Sequence, residues 1–288
     1  MNDQLLVPPG YTIRTMTRKE IDLAIEWAAS EGWNPGLYDA DSFFSADPHG
    51  FLIGEMNHQP IATISAVKYG DTFGFIGFYI VKSEYRGQGY GFQLWNAALN
   101  YLAGRNIGLD GVVAQQSNYQ KSGFKLAYRN IRYEGVSGGS DPNHSAIIEL
   151  SQVPFEHVEC YDRAFFPEHR SGFLRSWFNQ PESIALGILE QGKLAGYGMI
   201  RVCRSGYKIG PLFADRPELA EILFLALKSR IKSGKPIYLD VPEPNQTAVA
   251  LATTYQMRLV FETARMYTGE FPDLPLHRLF GVTTFELG

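Results

Sequence analysis

The sequence predicts an α/β protein built of two tandem units of strands and helices, on three observations. Its 288 residues exceed the usual span of one domain. A polar stretch rich in turn formers, Val136 to His144, divides the chain near its middle. The order of strand, hairpin, central strand and helix that precedes this stretch returns after it. The expected units are residues 1–136 and 146–288, joined by a linker at 137–145. With 45% hydrophobic and 14% aromatic residues, each can bury a core.

In the first unit, Tyr11 to Thr15 alternates as a strand, and Thr17 to Ala29 reads as a helix. Thr17 with Glu20 forms a capping-box pattern, and Ile21, Ala24, Ile25 and Ala28 make the apolar stripe. Ser30 to Gly36 stops that helix with two glycines and a proline around Trp33, and Asp39, Asp41 and Phe43 open a second, short helix. Phe51–Met56 and Ile61–Lys68 form a hairpin across Asn57 to Pro60. The apolar run Phe75–Val81 is a buried strand that runs into Arg86-Gly87-Gln88-Gly89-Tyr90-Gly91. The helical pattern Leu94, Trp95, Ala98, Leu99 and Leu102 follows. Gly108–Ala114 is a fifth strand, Gln115–Gly123 a short helical or coiled piece, and Phe124–Tyr133 supplies closing strands.

A glycine turn between strand and helix presents backbone N–H groups at the positive end of a helix, so it suits a phosphate or pyrophosphate. The spacing is wrong for a dinucleotide-binding Gly-x-Gly-x-x-Gly, and Gly91-Phe92-Gln93 stands where a Walker loop needs Gly-Lys-Ser/Thr. Instead, Arg86, Gly89 and Gly91 resemble the coenzyme A loop of the GNAT superfamily of acyl-CoA N-acyltransferases: Arg or Gln, two residues, Gly, one residue, Gly or Ala. Val81 stands where members carry the valine of their fourth strand, and Ser83 replaces a frequent proline. The resemblance covers residues 11 to about 135. It implies a mixed, mainly antiparallel sheet flanked by helices in each unit. It also implies acetyl-CoA held by Tyr79, Ile80, Val81, Arg86, Gly87, Gln88, Gly89, Tyr90, Gly91, Phe92 and Asn118. Asn118-Tyr119-Gln120-Lys121-Ser122-Gly123-Phe124 resembles the family's Tyr-Glu-Lys-x-Gly-Phe ending, which makes Tyr119 the expected general acid for the departing thiolate. The family's helix asparagine would fall on Val112, so Asn118 or Gln116 is expected to supply that contact.

Attack on a thioester needs a neutral amine, and hence a proton acceptor. No carboxylate lies between Phe75 and Val81, which leaves Glu31 and Asp110 as candidate bases; a solvated helix end and a turn acid are the alternative readings. In the family's architecture the segment joining the first two helices walls the acceptor pocket. Glu31, Trp33, Asn34 and Tyr38 are therefore the expected substrate contacts, with a core plug as the alternative for Trp33.

The second unit echoes the first through Ile147–Leu150, the hairpin Ile184–Leu189 and Leu194–Val202, the strand Tyr207–Phe213 and the helix Pro217–Ile231. Its counterpart of the glycine turn, Leu212 to Glu218, has no glycine, and Asp215 and Glu218 near the helix start would repel a pyrophosphate. Asn245 to Leu251 matches the family's Asn-x-x-Ala-x-x-Leu helix, but Ala252 falls at the tyrosine position. This half is read as a structural and substrate-shaping partner. Phe165, Phe166, Phe173, Trp177 and Phe178, with Tyr161, Asp162 and Arg170, read as a core with one ion pair. The whole resembles bacterial two-domain GNAT proteins with a glycine loop in the first half alone, an internal pseudo-dimer whose further assembly is open.

The net charge of −4 and the lack of a Lys/Arg run argue against nucleic-acid binding. Cys160 and Cys203 have no zinc-site spacing, the six histidines form no His-x-x-x-His pair, and no metal is expected. Met1 to Gly10 lacks a signal-peptide core and no run approaches a membrane span, so a cytoplasmic, soluble protein is expected. No Gly-x-Ser-x-Gly elbow supports a serine hydrolase. The expected function is transfer of acetyl from acetyl-CoA to a primary amine of a small molecule. An acyl-CoA-binding sensor without turnover and a protein lysine or N-terminal acetyltransferase are the alternatives.

Overall fold

A computed structural model describes residues 9–288; apart from its last two residues, the Met1–Gly10 stretch discussed above lies outside them. Strand β1 (Tyr11–Thr15) leads to helix α1 (Arg18–Ser30). Its start is fixed by the Thr17 backbone N–H donating to the Glu20 carboxylate at 2.7 Å, and its four expected apolar residues are buried. Helix α2 (Asp39–Ala46), the hairpin of β2 (Phe51–Met56) and β3 (Gln59–Tyr69) and strand β4 (Phe73–Val81) follow. Helix α3 (Tyr90–Tyr101), β5 (Asn106–Val112), the short α4 (Gln116–Lys121) and β6 (Lys125–Val136) complete the first half. The piece expected as closing strands is thus one continuous strand.

The second half runs β7 (Ile147–Glu149), α5 (Phe155–Asp162), α6 (Ser171–Trp177), β8 (Ser183–Glu190), β9 (Lys193–Val202) and β10 (Tyr207–Ala214). It continues through α7 (Pro217–Ser229), β11 (Pro236–Pro242), α8 (Gln246–Thr254), β12 (Arg258–Tyr267) and the short β13 (Leu279–Gly281). The expected aromatic core is present: Phe173 and Trp177 stack 4.9 Å apart, and Arg170 pairs with Asp162 at 2.7 Å.

The described strands join in one 13-stranded sheet, in the order β1-β2-β3-β4-β5-β12-β6-β11-β10-β9-β8-β7, with β13 pairing β10 beside that path. Pairing is antiparallel except for β4 with β5 and β10 with β11. The last long strands are exchanged: β12 of the second half lies between β5 and β6, and β6 of the first half lies against β11. Neither half therefore ends in an open edge at the centre, where unpaired N–H and C=O groups would be exposed.

Three ion pairs cross between the halves and are nearly free of solvent: Asp39–Arg201, Asp110–Arg265 and Arg132–Asp240. The segment Val282–Gly288 is buried throughout. The Tyr69 hydroxyl donates to the Leu287 carbonyl at 3.1 Å, Arg170 donates to the Thr283 hydroxyl at 3.1 Å, and the Val282 N–H donates to the Asp240 carbonyl at 2.9 Å. Among the described residues no helix is long and apolar enough to cross a membrane.

Candidate active site

Strands β4 and β5 pair only from Phe73/Asn106 to Ile76/Leu109, and then diverge. The cause lies in β4. Its register against β3 shifts after Gly77, and Phe78 adopts φ 47°, a conformation that costs a bulky residue energy and marks a bulge. The Thr63 hydroxyl holds that bulge by donating to the Phe78 carbonyl at 3.0 Å. A cavity of about 720 Å³ opens in the resulting notch.

The glycine turn lies beyond the end of β4, at the cavity mouth. Gly87 and Gly89 take φ of 76° and 87°, and a β-carbon at either would project into open space. No backbone N–H from Gly87 to Phe92 meets an acceptor among the described residues; the first helical bond of α3 runs from the Gln93 N–H to the Gly89 carbonyl at 3.2 Å. The first turn of α3 carries no acidic side chain. An open run of amides at a positive helix end fits the pyrophosphate of a coenzyme A thioester. Arg86 is tied back by Nε to the Val81 carbonyl at 2.7 Å and by Nη2 to Glu31 at 2.5 Å, and Gln88 donates to the Glu84 carbonyl at 2.8 Å.

Tyr79, Ile80, Val81, Gly91, Phe92 and Asn118 also reach the cavity wall, whereas Gln88 and Tyr90 do not. Tyr119 stands on that wall in α4, its ring covering Gly111 of β5 and packing 5.6 Å from Trp95. Trp95 is itself fixed by its N–H, which donates to the Ser122 hydroxyl at 3.0 Å. The Tyr119 hydroxyl has no hydrogen-bond partner among the described residues. Burial, with Tyr79 adding to it, pushes its phenol up to about 12, so it is a neutral proton donor at ordinary pH.

The two expected bases differ. Asp110 borders the cavity, but both its oxygens accept from Arg265, at 2.8 and 2.6 Å, and one also accepts from Asn130 at 2.8 Å. This is a structural ion pair across the halves, and the geometry speaks against a proton-accepting role. Glu31 lies at the mouth, partly exposed, with Arg86 as partner. The loop expected to bind substrate also divides. Glu31 and Trp33 line the cavity, but Asn34 and Tyr38 do not, a correction with a clear cause. The Asn34 amide exchanges two 2.9 Å hydrogen bonds with the Ser205 backbone, and the Tyr38 hydroxyl donates to Glu182 at 2.8 Å. Both side chains anchor the loop to the second half.

The second half is expected as a substrate-shaping partner; what the sequence did not reveal is which of its residues reach the wall. Phe261 and Thr263 from β12, with Phe285 and Glu286 from the final segment, line the same cavity. No motif surrounds them; they arrive through the strand exchange. The corresponding notch of the second half is filled. There β10 and β11 pair only over Tyr207–Ile209 and Ile237–Leu239, and β13 occupies the space beyond by pairing Leu279 and Gly281 with Phe213 and Leu212.

The sequence profile of the acetyltransferase (GNAT) family matches residues 18–124, and that of an acetyltransferase (GNAT) domain matches residues 158–281. Holothin acyltransferase of Pseudoalteromonas sp. (strain SANK 73390) is 28% identical over 278 residues, covering 96% of this chain and 95% of that protein. In fold the chain is similar to a candidate acetyltransferase from Pyrococcus horikoshii, with a TM-score of 0.83, 22% identity and coverage of 100% and 99%. It is also similar to a tandem GNAT protein from the clavulanic acid biosynthesis pathway, with a TM-score of 0.63, 11% identity and coverage of 91% and 100%. That both halves match, and that the match to an acyltransferase runs nearly end to end, places this protein in the GNAT family of acyl-CoA N-acyltransferases as a tandem member.

Proposed function

We propose that the β4–β5 notch transfers an acetyl group from acetyl-CoA to the primary amine of a small molecule by direct attack, without a metal. The observation that carries this reading is that the unpaired amides of Gly87 to Phe92 and the neutral phenol of Tyr119 open on one cavity. In it the turn binds the pyrophosphate, Arg86 stiffens the turn through Val81, and Tyr119 gives its proton to the leaving sulfur. Residues 1–136 hold the donor and supply the proton for the leaving sulfur; 146–288, beyond the linker 137–145, close the acceptor side and leave their own notch plugged. A cavity walled by the aromatic rings of Trp33, Phe78, Phe261 and Phe285 suits a compact molecule better than a protein chain. The full-length relative named for holothin supports a small acceptor as well. Cytoplasm fits two free thiols.

A panel of primary amines assayed with acetyl-CoA for free CoA tests the reading. Amine-dependent release supports it; tight acetyl-CoA binding with no release from any amine would favour the sensor, and release only with lysine peptides the protein acetyltransferase. Trp33→Ala should raise the acceptor KM severalfold while acetyl-CoA affinity stays within a factor of about three. If Trp33 is only a core plug, the melting temperature and both affinities fall together.

A further inference from the structure

Four buried aspartates, Asp39, Asp110, Asp162 and Asp240, each take a bidentate arginine. Glu286 does not. It is 3% exposed and lies on the cavity wall, yet among the described residues no cationic nitrogen stands within 4.0 Å of it. Its hydrogen-bond partner is the neighbouring Thr284 hydroxyl. Arg132, Arg201 and Lys208 feel its charge, but Arg132 and Arg201 hold Asp240 and Asp39, and Lys208 donates to the Asn34 carbonyl at 3.0 Å. A buried carboxylate without a direct cation is costly unless something supplies one. On the wall of the same cavity, the Thr263 hydroxyl, 2% exposed, has no partner among the described residues.

A backbone contact fixes where the Glu286 segment runs. A β-carbon on Gly77 would collide with the Glu286 carbonyl oxygen, so the two segments touch beside the Phe78 bulge. The glycine turn lies past the other end of this stretch of β4, so the Glu286 segment borders the cavity at the end away from that turn.

We propose that Glu286, supplied by the second half, is the carboxylate that receives the ammonium group of the acceptor and takes its proton, with the Thr263 hydroxyl making a second hydrogen bond to the amine. The inference rests on acyl transfer in this cavity. An alkylammonium ionises near pH 10.4, so roughly one molecule in 10³ is free amine at pH 7 and a proton acceptor is needed. One ammonium proton passes to Glu286 and on to solvent. The freed nitrogen pair forms the N–C bond to the thioester carbonyl, and the C–S bond breaks with its electron pair on sulfur. Sulfur takes the Tyr119 proton, and Tyr119 recovers one from the new amide nitrogen. One proton is released per acetyl transferred.

Glu286→Gln keeps the shape and removes the proton acceptor. Calorimetry of phenethylamine and n-butylamine on the CoA-saturated chain reads acceptor binding without turnover, and free-CoA release with the best amine reads chemistry. The expected result is acetyl-CoA affinity within threefold of wild type, amine affinity at least tenfold weaker, and turnover about 10²- to 10³-fold lower. Unchanged amine binding and turnover would overturn the assignment. So would equal losses of amine and acetyl-CoA affinity, which would mark a structural charge, and so would a wild-type chain that binds neither amine. If Glu286→Gln does not fold, Thr263→Val carries the test: amine affinity should fall severalfold, and no change overturns the proposal. A wild-type chain that binds amine through Glu286 but releases no CoA would contradict acyl transfer and leave the Glu286 assignment standing.

Discussion

Changing Tyr119 to phenylalanine should lower turnover by roughly 10²- to 10⁴-fold, the range for loss of a positioned general acid. The ring stays in place on Trp95 and over Gly111, so acetyl-CoA affinity and melting temperature should change little. The pH dependence follows from the same burial. The phenol is raised to about 12, so its protonated, donating form persists to high pH. Wild-type activity should accordingly rise from pH 7 toward pH 10 as the amine deprotonates, with no alkaline fall from Tyr119. Turnover within threefold of wild type in the variant would show that water or another group protonates the thiolate.

Asp39→Ala should cost about 3–5 kcal/mol, because it leaves Arg201 charged and buried without its partner. Asp39 of α2 accepts from Arg201 of β9 at 2.9 and 3.2 Å, from Gln180 at 3.2 Å and from the Gly36 N–H at 2.9 Å, so one side chain ties the Trp33 loop to the second half. For a chain of this size the melting temperature should fall by about 10 °C. Adding Arg201→Met should restore part of the loss, since it is the stranded charge rather than the missing bond that destabilises. A drop below about 1 kcal/mol in chemical denaturation would mean that water reaches Arg201 and that the halves are less tightly joined.

Local order was legible in the sequence wherever neighbours in sequence decide it. The Thr17–Glu20 cap and the glycine turn at Arg86–Gly91 depend on residues a few positions apart and stand as read, whereas the hairpin turn is tighter than the expected Asn57–Pro60: Gln59 and Pro60 already pair in β3, and Asn57 and His58 make the turn with φ of 48° and 66°. The exchange of β6 and β12 was not legible. Both are alternating strands, and nothing within Lys125–Val136 says that its partner lies in Pro236–Pro242 rather than in β5. The site inherited that blindness. Arg86 and Tyr119 could be read from motifs, whereas Thr263 and Glu286 reach the cavity only through long-range pairing. Asn34 and Tyr38 looked like pocket residues because the loop was right, but polar groups of the second half at Ser205 and Glu182 had claimed them.

The claim of one working notch per chain is tested most directly by titrating acetyl-CoA into the intact protein by calorimetry. The account predicts one site per chain. That site should be lost in Gly89→Val, where φ 87° strains a β-branched residue and its side chain would fill the space above the turn. Two sites per chain, or one site that survives Gly89→Val unchanged, would contradict it.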